Sequence, residues 1–329
     1  DIENYDELNE GLNDFMKKVY PKIEVLEYTL RFLSSCLSGE IQEEKFYFWT
    51  GCGGNGKSKL VELIDHTLGE YSGSLDVSFL TSKRGCSSAA SPELENVKNC
   101  RFVSMSEPEK EDVVYSGKLK QMSGGDKMTS RGLFKETKRF KPQFKIILMC
   151  NDLPRLAGND GGIWRRIEVV NYISKFTDNP RPSEADPYQY LADEKLSSKL
   201  EAWKLIFMIQ LLEKYTIYCK EGTNPPNEVK NSTSQYRSSN DLIANWIDDC
   251  VIESDELFDN NELYSAWERW CDEEGIHPKQ RPEKKEIKNY LINMQGLSTY
   301  GYVIGKTKAE DCPNGTKRKP IFNFKPIDD

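Results

Sequence analysis

One stretch of the chain constrains its fold more than any other. Gly51-Cys-Gly-Gly-Asn-Gly-Lys-Ser58 fits the pattern G-x-x-x-x-G-K-[ST]. The apolar run Phe46–Trp49 precedes it, and a helical pattern from Lys57 to about Leu68 follows it. Glycines let backbone N–H groups turn inward around an anion, and the start of a helix adds partial positive charge. The stretch therefore predicts a strand, a phosphate-binding loop and a helix within an α/β fold.

This loop supplies the candidate ligands of a nucleoside triphosphate. In such a loop the Lys57 ammonium reaches the β- and γ-phosphates, and the Ser58 hydroxyl binds Mg²⁺. ATP and Mg²⁺ are therefore the expected cofactors. The predicted nucleotide-binding residues lie in the loop and the first helical turn: Gly51, Gly53, Gly54, Asn55, Gly56, Lys57, Ser58 and Lys59.

Composition limits the classes of protein that remain. The 329 residues suffice for two or three domains with a buried core. With 45 basic and 53 acidic residues the net charge is −8, which argues against a uniformly basic nucleic-acid surface but leaves room for a local basic site. No apolar stretch is long enough to span a bilayer, so no membrane partner is expected.

Cysteine and histidine usage narrows the chemistry and the compartment. The nine cysteines include no CxxC pair, which argues against a disulfide framework or a zinc site and favours free thiols in an intracellular, reducing compartment. With only two histidines, His66 and His277, acid–base work is expected to fall to carboxylates. The chain starts at Asp1 without a Met, which is typical of a fragment of a longer protein.

Short apolar runs after residue 45 predict the sheet. They lack strict alternation of apolar and polar residues, and helical stretches lie between them, as in a parallel sheet buried on both faces. The predicted strands are Phe46–Trp49, Phe102–Met105, Ile146–Cys150 and Ile167–Val170.

The N-terminal residues have the spacing of two packed helices. Apolar side chains recur at helical intervals from Leu12 to Leu37, and Pro21 separates two runs. Pro21 is expected to start the second helix and Gly39 to cap its C-terminus.

A break in pattern divides the rest of the chain. The segment 221–226 contains Gly222, Pro225 and Pro226, and we place a domain boundary there. Short helices and a strand-like tail follow. The expected domains are a helical collar at 1–40, an α/β motor at 41–220 and a winged-helix-like domain at 221–329.

Polar side chains follow two of the predicted strands directly. Glu107 comes after the strand ending at Met105, and it is the first candidate for the carboxylate that holds Mg²⁺ or orients the attacking water. Glu109 is the second candidate. Asn151 follows the strand ending at Cys150, where its amide can contact the γ-phosphate or that water. Surface glutamates and an ordinary Asn-Asp turn are the alternatives.

Two arginines and one basic segment complete the candidate residues. Arg165 or Arg166 is predicted to reach the site of a neighbouring subunit and stabilise charge in phosphoryl transfer; a surface or structural pair is the alternative. Residues 118–145 hold nine basic and two acidic side chains, a local charge of +7. We predict a β-hairpin over 131–145 that grips a single strand, with a solvated loop as the alternative. Its candidate DNA-binding residues are Arg131, Lys135, Lys138 and Arg139.

The order of these motifs resembles the superfamily 3 helicases, and within them the poxvirus-type primase-helicases of large DNA viruses and related phages and plasmids. The resemblance covers roughly residues 20–290. The segments that carry it are Trp49–Ser58, Arg101–Glu109, Leu119–Asp126, Phe140–Phe144, Met149–Pro154, 158–166, 224–246 and Leu263–Trp267.

The resemblance implies a hexameric, AAA+-like ring with ATP between subunits and DNA in the pore. It makes Lys57, Ser58, Glu107 and Asn151 residues that act in their own subunit, with Arg165 or Arg166 as the finger of the next. The acidic motif departs from the family's adjacent carboxylates, since it runs Ser106-Glu107-Pro108-Glu109. Which glutamate takes which role is therefore open.

The expected function is an ATP-driven replicative helicase that translocates on single-stranded or forked DNA. In family members a primase domain precedes this region, so a primase domain and other replication proteins are expected partners. If the source is a virus, the expected location is the host cytoplasm or a viral replication factory. Alternatives are another ring ATPase, such as a DNA-packaging motor, and a DNA-binding initiator that uses ATP only to assemble.

Overall fold

The computed structural model describes residues 3–82, 92–130, 138–157, 161–293, 304–306 and 320–326. The chain forms two compact units, Asp1–Arg237 and Ser238–Asp329. The structural division therefore falls later than the boundary expected near residue 221. Most of the helix Asn227–Asn240 belongs to the first unit because the Tyr236 ring packs against Phe48 and Trp164.

The described helices and strands are numbered here in chain order. The helices are α1 (Tyr5–Val19), α2 (Ile23–Ser35), α3 (Lys57–Leu68), α4 (Ser78–Thr81), α5 (Pro92–Val97), α6 (Ser116–Ser123), α7 (Gly161–Trp164), α8 (Leu196–Glu221), α9 (Asn227–Asn240), α10 (Leu242–Cys250), α11 (Asn260–Glu273) and α12 (Lys284–Asn293). The strands are β1 (Phe46–Thr50), β2 (Ser72–Leu75), β3 (Phe102–Met105), β4 (Val113–Tyr115), β5 (Met128–Ser130), β6 (Lys138–Phe140), β7 (Lys145–Cys150), β8 (Arg155–Ala157), β9 (Ile167–Asn171), β10 (Lys175–Thr177), β11 (Gln189–Leu191), β12 (Val251–Asp259), β13 (Ile304–Lys306) and β14 (Pro320–Pro326).

The first unit is built on a parallel five-stranded sheet in the order β2-β3-β7-β1-β9. All four predicted strands belong to it, so the expected α/β class with a parallel sheet is confirmed. Residues Phe46–Trp49 are buried because helices cover both faces, which is why the strand carries apolar residues without alternation. Trp49 pairs with Met149 on one side and Val170 on the other.

Strand β2 was not predicted from the sequence. Its residues, Ser-Gly-Ser-Leu, contain one apolar side chain, and only Leu75 is buried. The strand lies at the edge of the sheet, where β3 supplies its one neighbour. A half-exposed edge strand needs few apolar residues, so it leaves little signal in a sequence.

Helices α1, α2, α3 and α8 cover one face of the sheet. Phe15 of α1 packs against Trp203 of α8, and Phe32 of α2 packs against Tyr47 of β1. The expected helix pair is present, but α2 starts at Ile23 rather than Pro21. The helix ends at Ser35, so Gly39 is not its cap.

Gly39 has a different physical reason to be glycine. A Cβ at this position would lie 1.5 Å from Nη1 of Arg101. That guanidinium donates to Gln143 Oε1 over 2.9 Å. The absence of a side chain at Gly39 therefore makes room for the guanidinium at the start of β3.

A smaller antiparallel pair forms part of the predicted hairpin. Thr129 of β5 pairs with Arg139 of β6, and Ser130 pairs with Lys138. The strands therefore begin before residue 131, earlier than predicted, and Lys138 and Arg139 lie within β6. The predicted DNA-binding residues Arg131 and Lys135 lie outside the described residues.

The second unit has its own core. Helices α10, α11 and α12 accompany an antiparallel sheet in the order β12-β14-β13. Trp246 and Trp267 are fully buried and meet edge to face, with ring centroids 5.7 Å apart. Helices and a strand-like tail are what the sequence predicts here. No helix in the described part of the chain is both long and apolar enough to cross a membrane.

Candidate functional site

The glycine-rich loop, residues 51–56, connects the end of β1 to the first residue of α3. Gly56 has φ +88°, and a Cβ there would lie 2.9 Å from Val19 Cγ2. Gly51 has φ +144°, and its Cβ would lie 2.4 Å from the carbonyl oxygen of Tyr172. Both positions therefore require glycine, for backbone conformation and for space.

Lys57 is held at the inner side of this loop. Its side chain is buried, and Nζ donates to the Gly51 carbonyl over 2.5 Å. Burial lowers the pKa of the Lys57 ammonium, and the negative charge of Glu107 acts in the opposite direction. The ammonium has a neutral acceptor in this structure, so its charge is available to an anion.

Asn55 shapes the loop from within. Its side chain is buried, and Oδ1 accepts the backbone N–H of Lys57 over 3.3 Å. Its Nδ2 has no hydrogen-bond partner among the described residues. Because a buried amide N–H without an acceptor is costly, this atom fits a site that an anionic ligand completes.

Glu107 and Asn151 meet at the carboxyl edge of the sheet. Both oxygens of Glu107 accept hydrogen bonds from Asn151, one from the backbone N at 3.0 Å and one from Nδ2 at 2.9 Å. The Asn151 carbonyl accepts from Thr50 Oγ1 over 2.9 Å, which ties this pair to the end of β1. Parallel strands place their carboxyl ends together, so the loop, the carboxylate and the amide share one edge.

Glu109 does not take part in this arrangement. Its backbone N donates to Asp112 Oδ2 over 3.0 Å, and the Asp112 backbone N donates to its carbonyl over 2.9 Å. Glu109 is thus part of a turn that follows Glu107. Of the two glutamates, Glu107 has the contact with Asn151 and with the neighbouring strand.

The other predicted residues of the loop and helix differ in exposure. Gly53, Gly54 and Ser58 are exposed at the mouth of the loop and the first turn of α3. Lys59 Nζ donates to Glu62 and Ser197 over 2.8 and 2.7 Å. The Lys59 ammonium is therefore directed to α8. At the first turn of α3, only the backbone of Lys59 is left to contact a nucleotide.

Arg165 and Arg166 lie at the amino ends of the strands, opposite the carboxyl ends where the loop begins. The Arg166 carbonyl accepts from the backbone N of Phe46, the first residue of β1. Its guanidinium is largely buried and forms an ion pair with Glu44 at 2.7 Å. The Arg165 side chain is 68% exposed and its nearest Glu44 oxygen is 3.8 Å away. Only Arg165 of the pair has a side chain largely open to solvent.

The basic side chains of residues 118–145 differ in how exposed they are. Lys138 and Arg139 are exposed on β6. Lys145 is buried and donates to the carbonyl of Ser35, the last residue of α2, and to that of Ser38 just beyond the helix, each over 2.7 Å. Burial lowers the pKa of the Lys145 ammonium. The local charge of +7 therefore overstates the basic surface, because Lys145 serves the packing of α2.

Sequence reasoning missed the residues that support the glycine-rich loop from outside. Tyr172 N donates to the Thr50 carbonyl over 2.8 Å, and Phe176 N donates to the Gly54 carbonyl over 2.6 Å. Val19 contacts the loop from the end of α1. All three are ordinary apolar or aromatic residues far from the loop in sequence, and no motif marks them.

A family model described as a family of unknown function, DUF5906, matches residues 49–166. "Putative helicase L207/L206" of Acanthamoeba polyphaga mimivirus is 38% identical over 300 residues, which cover 88% of this chain and 31% of that protein. "Putative primase C962R" of African swine fever virus (isolate Pig/Kenya/KEN-50/1950) is 24% identical over 267 residues, which cover 78% of this chain and 28% of that protein. The chain thus spans about a third or less of these relatives.

One solved structure shows a likeness of fold. The apo structure of the NrS-1 C terminal region (305-718) has a TM-score of 0.51 and 13% sequence identity, and the match covers 96% of this chain and 75% of that one. The similarity to the mimivirus and African swine fever virus proteins extends over most of this chain. The predicted resemblance to helicases and primases of large DNA viruses is therefore confirmed over most of this chain.

Proposed function

We propose that this chain is the motor of a replicative DNA helicase, which hydrolyses ATP between the subunits of a hexameric ring and translocates on single-stranded DNA. One observation carries the proposal: the glycine-rich loop, Glu107 and Asn151 lie at one edge of the sheet, with Asn151 bound to both Glu107 oxygens. The strand order, with β7 between β1 and β3, supports an AAA+-like core.

The loop fits the phosphates of ATP. The unpartnered Asn55 amide and the Lys57 ammonium both lie in the loop, one lacking an acceptor among the described residues and the other with a neutral one. Ser58 and Glu107 are the residues that would hold Mg²⁺, which usually takes one or two protein ligands together with phosphates and water. When bound, Mg²⁺ offsets charge on the phosphate oxygens.

A cavity of about 230 Å³ between the α1–α2 turn, the end of β9 and α9 suits the base of the nucleotide. It is lined in part by Val19, which contacts Gly56, and by Asn171, which pairs with Thr50 at the end of β1. The cavity is smaller than the roughly 300–1,000 Å³ of sites that hold whole drug-sized ligands. Its size therefore matches part of a nucleotide whose phosphates would lie in the loop.

Each side chain of the site has a separate task in this proposal. Lys57 stabilises negative charge on the transferred phosphoryl group. Glu107 holds a water of the Mg²⁺ shell or orients the attacking water. Asn151 first holds the Glu107 carboxylate in place. The Asn151 amide then contacts the γ-phosphate or the attacking water. The backbone amides of the loop bind the remaining phosphate oxygens.

In this proposal a neighbouring subunit supplies an arginine to the site. Arg165 is the better candidate because its guanidinium is exposed at the other edge of the sheet, whereas that of Arg166 is bound to Glu44. A subunit that offers its loop at one edge and Arg165 at the other is suited to a closed ring.

Two further parts of the chain take roles that the resemblance to superfamily 3 helicases suggests. In this proposal α1 and α2 belong to a collar that promotes ring assembly, and the second unit is a winged-helix-like domain. The viral relatives support a place in DNA replication inside the infected cell, with a primase domain and other replication proteins as partners.

The exposed strand β6 gives the proposal a DNA-binding surface that can be tested. The double variant Lys138→Ala/Arg139→Ala is expected to weaken binding to single-stranded DNA. The slope of log K against log salt should become shallower by about 0.7 for each phosphate that the variant no longer neutralises. Fluorescence anisotropy at several salt concentrations measures both the affinity and its salt dependence.

A matched control uses two exposed lysines of α8. Lys199→Ala/Lys204→Ala removes the same number of charges from side chains that pair with Asp193 and Glu201. This control should leave the salt slope unchanged. If the β6 variant and the parent protein have equal slopes of log K against log salt, β6 does not contact DNA and the solvated-loop alternative holds.

The proposed activity itself is tested with a forked DNA substrate. Wild-type protein should hydrolyse ATP faster when single-stranded DNA is added and should open the duplex once a ring has formed. Mass photometry with and without nucleotide reports the assembly state in the same samples. Hydrolysis by a formed ring without any strand displacement would favour the packaging-motor or initiator alternative.

A further inference from the structure

The residues that follow β9 form a strap against the outside of the glycine-rich loop. We define this strap as residues 172–192, which contain β10 and β11. These two strands run parallel, and Phe176 pairs with Tyr190 at a ring centroid distance of 5.7 Å. The strap belongs to no sequence motif, yet it makes backbone contacts with the loop.

The strap starts as an extension of the sheet. Tyr172 N donates to the Thr50 carbonyl over 2.8 Å, so the pairing of β9 with β1 continues to the last residue before the loop. The Tyr172 hydroxyl hydrogen-bonds the Tyr20 hydroxyl, and its ring packs against Trp49 at 5.5 Å. Tyr172 is buried, so this end of the strap is fixed in the core.

Phe176 directs one backbone group away from the strap and into the loop. The neighbouring residues bond within the strap, since Lys175 N donates to Tyr188 O and Ala192 N donates to Thr177 O. The N–H of Phe176 faces the other way and donates to the Gly54 carbonyl over 2.6 Å. This alternation is typical of an extended strand, and here its outward donor is used on the loop.

This hydrogen bond sets the orientation of one peptide group. In a planar trans peptide the C=O and N–H vectors point in opposite directions. With the Gly54 carbonyl bound to the strap, the Asn55 N–H points away from it. The Phe176 ring adds a second restraint, because its Cε2 lies 3.3 Å from the position of a Cβ at Gly56.

We propose that Phe176 is a positioning residue for the glycine-rich loop: its backbone N–H turns the Gly54–Asn55 peptide so that the Asn55 N–H faces the bound phosphate, and its ring fixes Gly56 at the start of α3. The inference rests on the proposed nucleotide-binding function. It predicts that the strap controls affinity for the phosphates and has little effect on the chemical step.

Two changes separate the ring from the backbone donor. Phe176→Ala removes the ring and keeps the N–H. An amide-to-ester exchange at residue 176, made by incorporating phenyllactic acid, replaces the N–H by an ester oxygen and keeps the ring. Each is expected to raise the Kd for inorganic tripolyphosphate and the KM for ATP by about tenfold, the effect of one net hydrogen bond or packing contact. The kcat is expected to change by less than about threefold.

Three further proteins complete the experiment. Phe176→Leu restores apolar contact with the loop and should recover tripolyphosphate affinity, which also keeps the test decisive if Phe176→Ala does not fold. Leu191→Ala alters an exposed side chain on the same strap and should behave as wild type. Lys57→Ala tests the loop itself and should lose tripolyphosphate binding.

The outcomes are distinguishable. Weaker tripolyphosphate binding in the ester protein and in Phe176→Ala, with kcat preserved, supports the proposal. Wild-type affinity in both would overturn it, while loss of binding in Lys57→Ala would still support the nucleotide site. Full tripolyphosphate binding by Lys57→Ala would instead contradict the proposed function on which the inference depends.

Discussion

Replacing Lys57 by alanine is expected to reduce ATP turnover by at least about 10²-fold, the effect of removing one preorganised group that stabilises transition-state charge. The side chain is buried next to the loop and donates to the Gly51 carbonyl, so water replaces its charge poorly. Because the ammonium binds phosphate oxygens in both ground and transition states, KM for ATP should rise as well. Steady-state ATPase kinetics with and without single-stranded DNA measure both parameters.

The control for this variant is Lys204→Ala. Lys204 is an exposed lysine of α8 that pairs with Glu201, and it is expected to keep wild-type turnover. Thermal unfolding of both variants checks that the fold persists. Lys57→Ala with near-normal turnover would refute the assignment of the loop, whatever its DNA binding.

The glycine-rich loop and the sheet were predictable because their signals are contiguous. The motif lies within eight residues, and each strand except β2 is a run of apolar residues buried on both faces. The different contacts of Glu107 and Glu109 were not predictable, since both residues follow the same strand. Glu107 accepts a hydrogen bond from Asn151, which directly follows β7, and this contact joins residues 44 positions apart.

Other features depend on contacts that no local pattern encodes. Phe176 and Gly54 are separated by more than a hundred residues, and a phenylalanine in a loop-rich segment carries no sign of a role. Lys145 counted as a surface charge in the sequence, but its position at the start of β7 buries it against the end of α2. Tyr236 likewise brings α9 into the first unit by packing on Phe48.

Replacing each of the two neighbouring arginines by alanine is expected to affect different properties, and the free energy of unfolding is the first of them. Arg166→Ala should destabilise the first unit by about 1–3 kcal/mol, because it breaks a largely buried ion pair whose partner, Glu44, keeps access to water. Arg165→Ala should change stability by less than about 0.5 kcal/mol, since its side chain is exposed. Urea unfolding followed by tryptophan fluorescence measures this difference.

For ATP turnover we expect the reverse order, with the larger loss in Arg165→Ala than in Arg166→Ala. If Arg165 completes the site of the next subunit, its removal should reduce ATP turnover by about 10³-fold or more, as for arginine fingers in other nucleoside triphosphatases. Any decrease in Arg166→Ala should follow its unfolded fraction and recover under conditions that stabilise the fold.

Mixing subunits tests whether the group acts across an interface. Lys57→Ala subunits carry an intact Arg165, and Arg165→Ala subunits carry an intact loop. A mixed ring therefore contains some interfaces with both groups in place, and ATPase activity should return in part although each parent is inactive. No recovery in rings shown to contain both proteins would contradict a role for Arg165 in trans. Recovery obtained with Arg166→Ala, but not with Arg165→Ala, would assign the finger to Arg166 and require its ion pair with Glu44 to open during assembly.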